Sequence, residues 1–267
     1  MEISESGRRF LEMPAAAYFR LPNPNVFYCN KIIKNPMKHV VGEYIKHNRI
    51  KIEKQADNLG KQMLSKVDFL AKKNWTFDTE LDIQTFNSKS DTETLEWLEK
   101  YYTEDDYVHV FERLDTIIDC FKENSSESGY LKQLLTIKNL LKDDFNNYSV
   151  LMSCMFSIIE YKIFQRMGKI ETTDIFKHEK AVNMENSITS SDKNTLLILM
   201  SISVATNLCN FWSFGKFENG IDFSKFGRHT VQHGRINPDR YKPRHIVQLI
   251  LLLLGICLDE NLFSDPV

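Results

Sequence analysis

Apolar residues along most of this chain return every three or four positions, and polar segments break them into stretches of helical length. From Lys38 to Lys73 they fall at Val41, Ile45, Ile52, Ala56, Leu59, Met63 and Leu70. The seven-residue steps within that series predict one long helix with a narrow packing seam. Asn74 to Ser90 reads as a polar connector with some extended character, and Asp91 to Tyr102 as a short helix. Tyr107, Val110, Phe111, Leu114, Ile117, Ile118 and Phe121 share one face of the next helix, for which Thr103 and Asp106 are candidate caps. Four more helices follow, at 130–147, 149–167, 192–212 and 243–257. The third is apolar nearly all round, as a central helix would be, and the fourth opens on Pro243, suited to a first helical turn. A shorter helix is expected near 173–184, and residues 1–37, with four prolines, read as an irregular arm.

Composition supports an all-α fold. The chain has 267 residues, 42% apolar and 26% charged, which are ordinary globular values. No proline lies between Pro36 and Pro238, a poor match to a turn-rich β-sandwich. The segment NSSESG at 124–129 has linker composition. It divides the chain into a helical region of unknown role, 1–125, and a helical-bundle domain, 126–267. Cys29, Cys120, Cys154, Cys209 and Cys257 are odd in number and never form a C-x-x-C pair, so reduced thiols in a cytoplasmic protein are expected. No membrane span is expected either. Ser201, Ser203, Thr206, Asn207 and Asn210 interrupt the apolar run 196–214, and the run 246–258 is too short to cross a bilayer.

The net charge is only −2, but it is unevenly distributed. Residues 31–73 hold eleven Lys/Arg and four acids, whereas residues 80–127 hold fourteen acids and four Lys/Arg. Solvated helix faces account for both. The stretch 225–245 is different: it carries six Lys/Arg, three histidines and a single acid, Asp239, and glycines punctuate it.

Glycine-rich phosphate loops, the G-x-S-x-G elbow and the H-E-x-x-H zinc motif are all absent. The segment Gly227-Arg228-His229-Thr230-Val231-Gln232-His233-Gly234-Arg235 is the best candidate for chemistry. In a helical turn His229 and His233 share a face, just after Arg228. Imidazole exchanges protons near neutral pH, and a guanidinium binds phosphate oxygens in a fork. The bracketing glycines permit sharp turns and a close approach to a ligand. Together these groups could cleave a phosphodiester without a metal or other cofactor.

Arg228-His229-Thr230-Val231-Gln232-His233, an R-x4-H with a polar residue directly after the arginine, resembles the signature of HEPN domains. An apolar helix ending Ile158-Ile159-Glu160 and a later one carrying residues 249–254 extend the resemblance over roughly 130–267. The resemblance implies a helical bundle and a metal-independent endoribonuclease, in which two chains dimerise so that two motifs form one cleft. It also implies a toxin or phage-defence effector, with an antitoxin or defence-system partner. In that reading the ribose 2′-hydroxyl attacks the adjacent phosphate and leaves a 2′,3′-cyclic phosphate and a 5′-hydroxyl. His233 is the general base or acid, Arg228 stabilises the transition state, and His229 orients these groups or binds phosphate. Glu160 either orients the arginine or histidine or merely closes its helix, and Lys225, Arg235 and Arg240 either touch RNA backbone or are solvated surface charges. Each residue also has a plainer use: Arg228 could cap a helix or pair with Glu160, and His233 could be a satisfied structural histidine. The imidazoles at i and i+4 could be half a metal site, although no third ligand suggests itself. The alternative function is a non-catalytic HEPN module that binds RNA, nucleotide or a partner protein.

Overall fold

The computed structural model of the chain describes residues 58–123, 128–166, 195–212 and 226–259. All regular structure among them is helical. In chain order the α-helices are α1 (Asn58–Lys72), α2 (Ile83–Ser88), α3 (Asp91–Thr103), α4 (Val108–Lys122), α5 (Ser128–Asp143), α6 (Tyr148–Arg166), α7 (Thr195–Phe211), α8 (Arg228–Gln232) and α9 (Pro243–Leu258). Three short 3-10 turns, Asp105–Tyr107, Phe145–Asn147 and Pro238–Arg240, join neighbours. None of these helices is long and apolar enough to cross a membrane. The expected N-terminal arm, the first part of the long helix and the helix near 173–184 lie outside the described residues.

The helix at the centre is α9. Its residues from Ile246 to Cys257 are buried without a break, because α4, α6 and α7 surround it. Gln248 is the one polar side chain in that run, and its amide donates to the Lys73 carbonyl at 2.9 Å. A Cβ at Gly255 would overlap the Val204 side chain of α7, so glycine is what lets the two helices meet closely. α7 in turn lies between α9 and α1. Buried apolar residues from α1 through α9 belong to one core, which includes helices on both sides of residue 125.

The polar residues of α7 hold the turn that follows α1. The Asn210 amide donates to the Ala71 carbonyl at 3.0 Å, the Asn207 amide to Thr76 Oγ1 at 2.8 Å, and Ser203 Oγ accepts from the Phe77 N–H at 2.8 Å. Buried backbone groups need such partners. Ser201 donates to the buried Asp259 carboxylate, so α7 is also tied to the end of α9.

Two local expectations are corrected. Residues 74–90 contain α2, which is held at both ends: Asp82 caps its first turn, and the buried Lys66 ammonium donates to the carbonyls of Phe86, Asn87 and Lys89. Neither Thr103 nor Asp106 caps α4. Instead Asp105, Asp106 and Tyr107 all take positive φ values of 49, 53 and 61°, and Tyr107 leads directly into the helix. A run of left-handed residues is costly. Here the Tyr107 ring stacks on Phe145 with centroids 3.4 Å apart, a contact that opposes this cost. By contrast α3 begins as its sequence suggests, with a reciprocal cap: Glu93 N–H donates to Ser90 Oγ and Ser90 N–H to Glu93 Oε2.

Candidate functional site

The R-x4-H segment forms one short helix docked on α6. Gly227 is its N-terminal flank, and a Cβ there would sit 3.0 Å from the Phe211 carbonyl oxygen at the end of α7. The close approach expected of this glycine is therefore made to the protein's own backbone. Thr230 fixes the first turn, as its hydroxyl donates to the Gly227 carbonyl and accepts from the Gly227 N–H. At the other end Gly234 has φ +61°, and the N–H groups of Arg235 and Ile236 both return to the Thr230 carbonyl. That is a left-handed helix stop, where glycine carries no Cβ penalty.

Two residues of α8 face α6. Arg228 Nη2 donates to both oxygens of Glu160, at 2.9 and 3.0 Å, and Gln232 Nε2 meets Ser157 Oγ at 3.5 Å. Arg228 and Gln232 are four apart, and Ser157 and Glu160 three apart, so each pair lies on one helical face. Both Arg228 and Glu160 are about a quarter exposed at the side chain, and Arg228 Nε is buried without a partner. The guanidinium is thus aimed by a carboxylate 68 residues earlier.

The histidines occupy a different face. His229 and His233 lie nearly parallel, with ring centroids 5.9 Å apart and 9° between their planes. His233 is exposed and His229 half-buried. Burial first, and then the charges of Arg228, His233 and Arg235, hold the His229 pKa below its ordinary value, so its imidazole is favoured as the neutral form. A neutral imidazole can accept a proton.

The remaining expected residues are spread around this helix. Arg235 is half-buried in the turn after α8, and Arg240 is exposed in the 3-10 turn Pro238–Arg240. Lys225 lies outside the described residues. Among the described residues of this stretch, Arg228 faces Glu160 and Arg244 faces Glu99 at 2.8 Å. The positive field of this stretch is weaker than its composition suggests. No group of three or more His, Cys, Asp or Glu able to hold a metal occurs among the described residues.

His245 has a structural task, as its place in the last helix suggests. The Lys242 N–H donates to its Nδ1 at 3.2 Å, capping α9, and its ring stacks on Phe226 at 4.1 Å. Phe226 in turn packs among Phe156, Phe211 and Tyr241, which fixes the chain just before α8. Burial, then Arg244 and Lys242, push the His245 pKa down to about 4, from 6.5. A depressed histidine pKa means that the unfolded chain binds the proton more readily, so stability present above pH 6.5 is lost as the pH falls towards 4. A His245→Asn variant should show a shallower loss than wild type in urea melts across that window. Equal slopes would show that His245 does not contribute.

Comparison with protein-family models, with curated proteins and with solved structures finds no match.

Proposed function

We propose that this chain is a metal-independent endoribonuclease of the HEPN type. The observation that carries the reading is the placement of Arg228, His229 and His233 on one short helix, with a carboxylate aiming the arginine and two parallel imidazoles beside it. In the proposed reaction one imidazole takes the proton of a ribose 2′-hydroxyl as its oxygen attacks phosphorus. The bond from phosphorus to the 5′-oxygen breaks, and that oxygen receives a proton from a second imidazole. The products are a 2′,3′-cyclic phosphate and a 5′-hydroxyl. His229, favoured as neutral, suits the base, and exposed His233 suits the acid. The Arg228 Nη1 donors serve the charge building on the phosphoryl oxygens, and Arg235, Arg240 and Lys225 serve the RNA backbone. A homodimer would bring two such helices to one phosphate and supply acid and base from separate chains. As a toxin or phage-defence effector, the protein would answer to an antitoxin or other defence partner.

The Arg228–Glu160 ion pair favours a second reading. A guanidinium whose charge is already matched by a carboxylate can simply fasten α8 to α6, leaving a non-catalytic module that binds RNA, nucleotide or a partner protein. Incubation of the purified chain with total RNA in excess EDTA separates the two. Cleavage that leaves cyclic-phosphate ends, absent from an Arg228→Ala/His233→Ala control, is the expected result. Activity that disappears in chelator and returns with a divalent ion would defeat the metal-free mechanism. Binding of RNA without cleavage would support the module.

A further inference from the structure

The turn that joins α3 to α4 is held against its own backbone preference. Asp105, Asp106 and Tyr107 are all left-handed, a region in which Cβ crowds the backbone, and none of them is glycine. The helix they lead into also starts without a side-chain cap, although Asp106 stands at its threshold and aspartate is a good capping residue. A right-handed or extended turn would relieve the crowding and let Asp106 cap α4. Against this stands the Tyr107 ring, which lies parallel to Phe145 at 3.4 Å and 3°. Phe145 passes the contact on. It begins the 3-10 turn between α5 and α6, and its ring meets that of Tyr148, the first residue of α6, at 6.5 Å. The Tyr148 hydroxyl donates to the Tyr241 carbonyl at 3.3 Å. The Tyr241 ring meets Phe226 edge-on at 5.8 Å, and Phe226 immediately precedes Gly227 and α8. A file of aromatic rings thus runs from the strained turn to the helix that carries Arg228, His229 and His233. Tyr107, Phe145 and Tyr148 are partly exposed, so the file is buried only at its α8 end.

We propose that Tyr107 and Phe145 are positioning residues for α8, and that the turn Asp105–Tyr107 is a latch with two states. In the latched state the turn is left-handed, Tyr107 lies on Phe145, and the α5–α6 turn holds Tyr148 against the Tyr241 carbonyl. In the unlatched state the turn is right-handed, Asp106 caps α4, and Tyr107 leaves Phe145. Tyr148 then loses the ring that backs it, and the support of Tyr241 and Phe226 beneath α8 loosens. Packed side chains with two discrete arrangements are what carry a local change to a distant element. The two states are close in free energy because relief of three left-handed residues and a gained cap oppose the loss of one aromatic contact. That α8 is the catalytic helix rests on the nuclease reading, whereas the latch itself does not.

The test measures amide hydrogen exchange by mass spectrometry on the full chain, in wild type and three variants. Asp106→Gly removes a Cβ that crowds the left-handed turn, and with it the cap of the alternative state, so it favours the latch. Asp105→Pro does the reverse, since proline fixes φ at about −65°. Glu104 is already extended, as the residue before a proline needs to be. Tyr107→Leu removes the ring stack and leaves the backbone free. Exchange across 226–236 should become several-fold faster in Asp105→Pro and Tyr107→Leu and slower in Asp106→Gly, with α1 and α9 as in wild type. If Asp105→Pro does not fold, the opposite signs of the other two variants decide the matter. Faster exchange confined to 104–111 would overturn the link to α8. Equal acceleration in every helix would make the turn an ordinary part of the fold, and faster exchange in Asp106→Gly would show that the turn is not strained. None of these readings uses RNA, so a chain that never cleaves RNA can still carry the latch, and one that cleaves it can lack the latch.

Discussion

Replacing His233 with alanine is expected to slow RNA cleavage by about 100- to 10,000-fold, the usual share of a proton-transferring side chain. The fold should be unaffected, since His233 is exposed at the end of α8 and is not one of the residues that anchor this helix to α6. Unchanged helical circular dichroism with lost cleavage would place the effect in the chemistry. Equal rates for variant and wild type would remove His233 from the mechanism. The proposed activity also offers a test of a shared cleft. An Arg228→Ala chain mixed with a His233→Ala chain should regain partial activity if one cleft draws on both subunits. Full activity in a strict monomer would defeat the shared cleft and leave the proposed catalytic roles in place.

Asp78→Ala should be among the most damaging single changes to the fold, at about 3–5 kcal/mol, the usual cost of breaking a buried ion pair from one side. Asp78 is 1% exposed and its Oδ2 accepts from Arg113 Nε at 2.5 Å and from the Tyr102 hydroxyl at 2.6 Å. Its Oδ1 accepts from the Glu80 N–H at 3.0 Å. Burial works against the Arg113 charge, and the adjacent carboxylate more than reverses this, so the guanidinium stays charged. Burial and the same carboxylate keep the Tyr102 hydroxyl protonated. Removing Asp78 therefore leaves a buried phenol without its acceptor and a buried guanidinium with only the longer contact to exposed Glu112, at 3.6 Å. A domain with about 5–15 kcal/mol of stability would lose much of it, which urea unfolding reads directly. An Asp78→Ala/Arg113→Met double variant should recover part of the loss, because no buried charge is left unpaired. A loss under about 1 kcal/mol for Asp78→Ala would show that water reaches the site and that the network is not buried in solution.

The hydrophobic spacing by itself determined most of the helices and their extents. α3, α4, α6, α7 and α9 begin and end within a few residues of where that spacing places them, and the stripe Val110, Leu114, Ile117, Ile118 and Phe121 is buried as expected. These features rest on interactions between near neighbours: period, a capping serine, a proline at a first turn. The R-x4-H helix was legible for the same reason, since four residues of spacing suffice to stack His229 on His233. Only the tertiary structure decided the rest. α2 is held by Lys66, some twenty residues earlier, and the left-handed turn before α4 has its aromatic partner at Phe145, on the far side of α5. The central place fell to α9 rather than α7, whose polar face was needed to hold the turn after α1. At the site, spacing could offer Arg228 a choice between phosphate and Glu160, and it took the packing of α8 on α6 to bring that carboxylate to 2.9 Å. The aspartate, arginine and tyrosine of the buried network lie up to 35 residues apart and carry no local pattern. A sequence records short-range preferences directly, whereas a contact between distant residues exists only once the chain has paid the entropy of bringing them together.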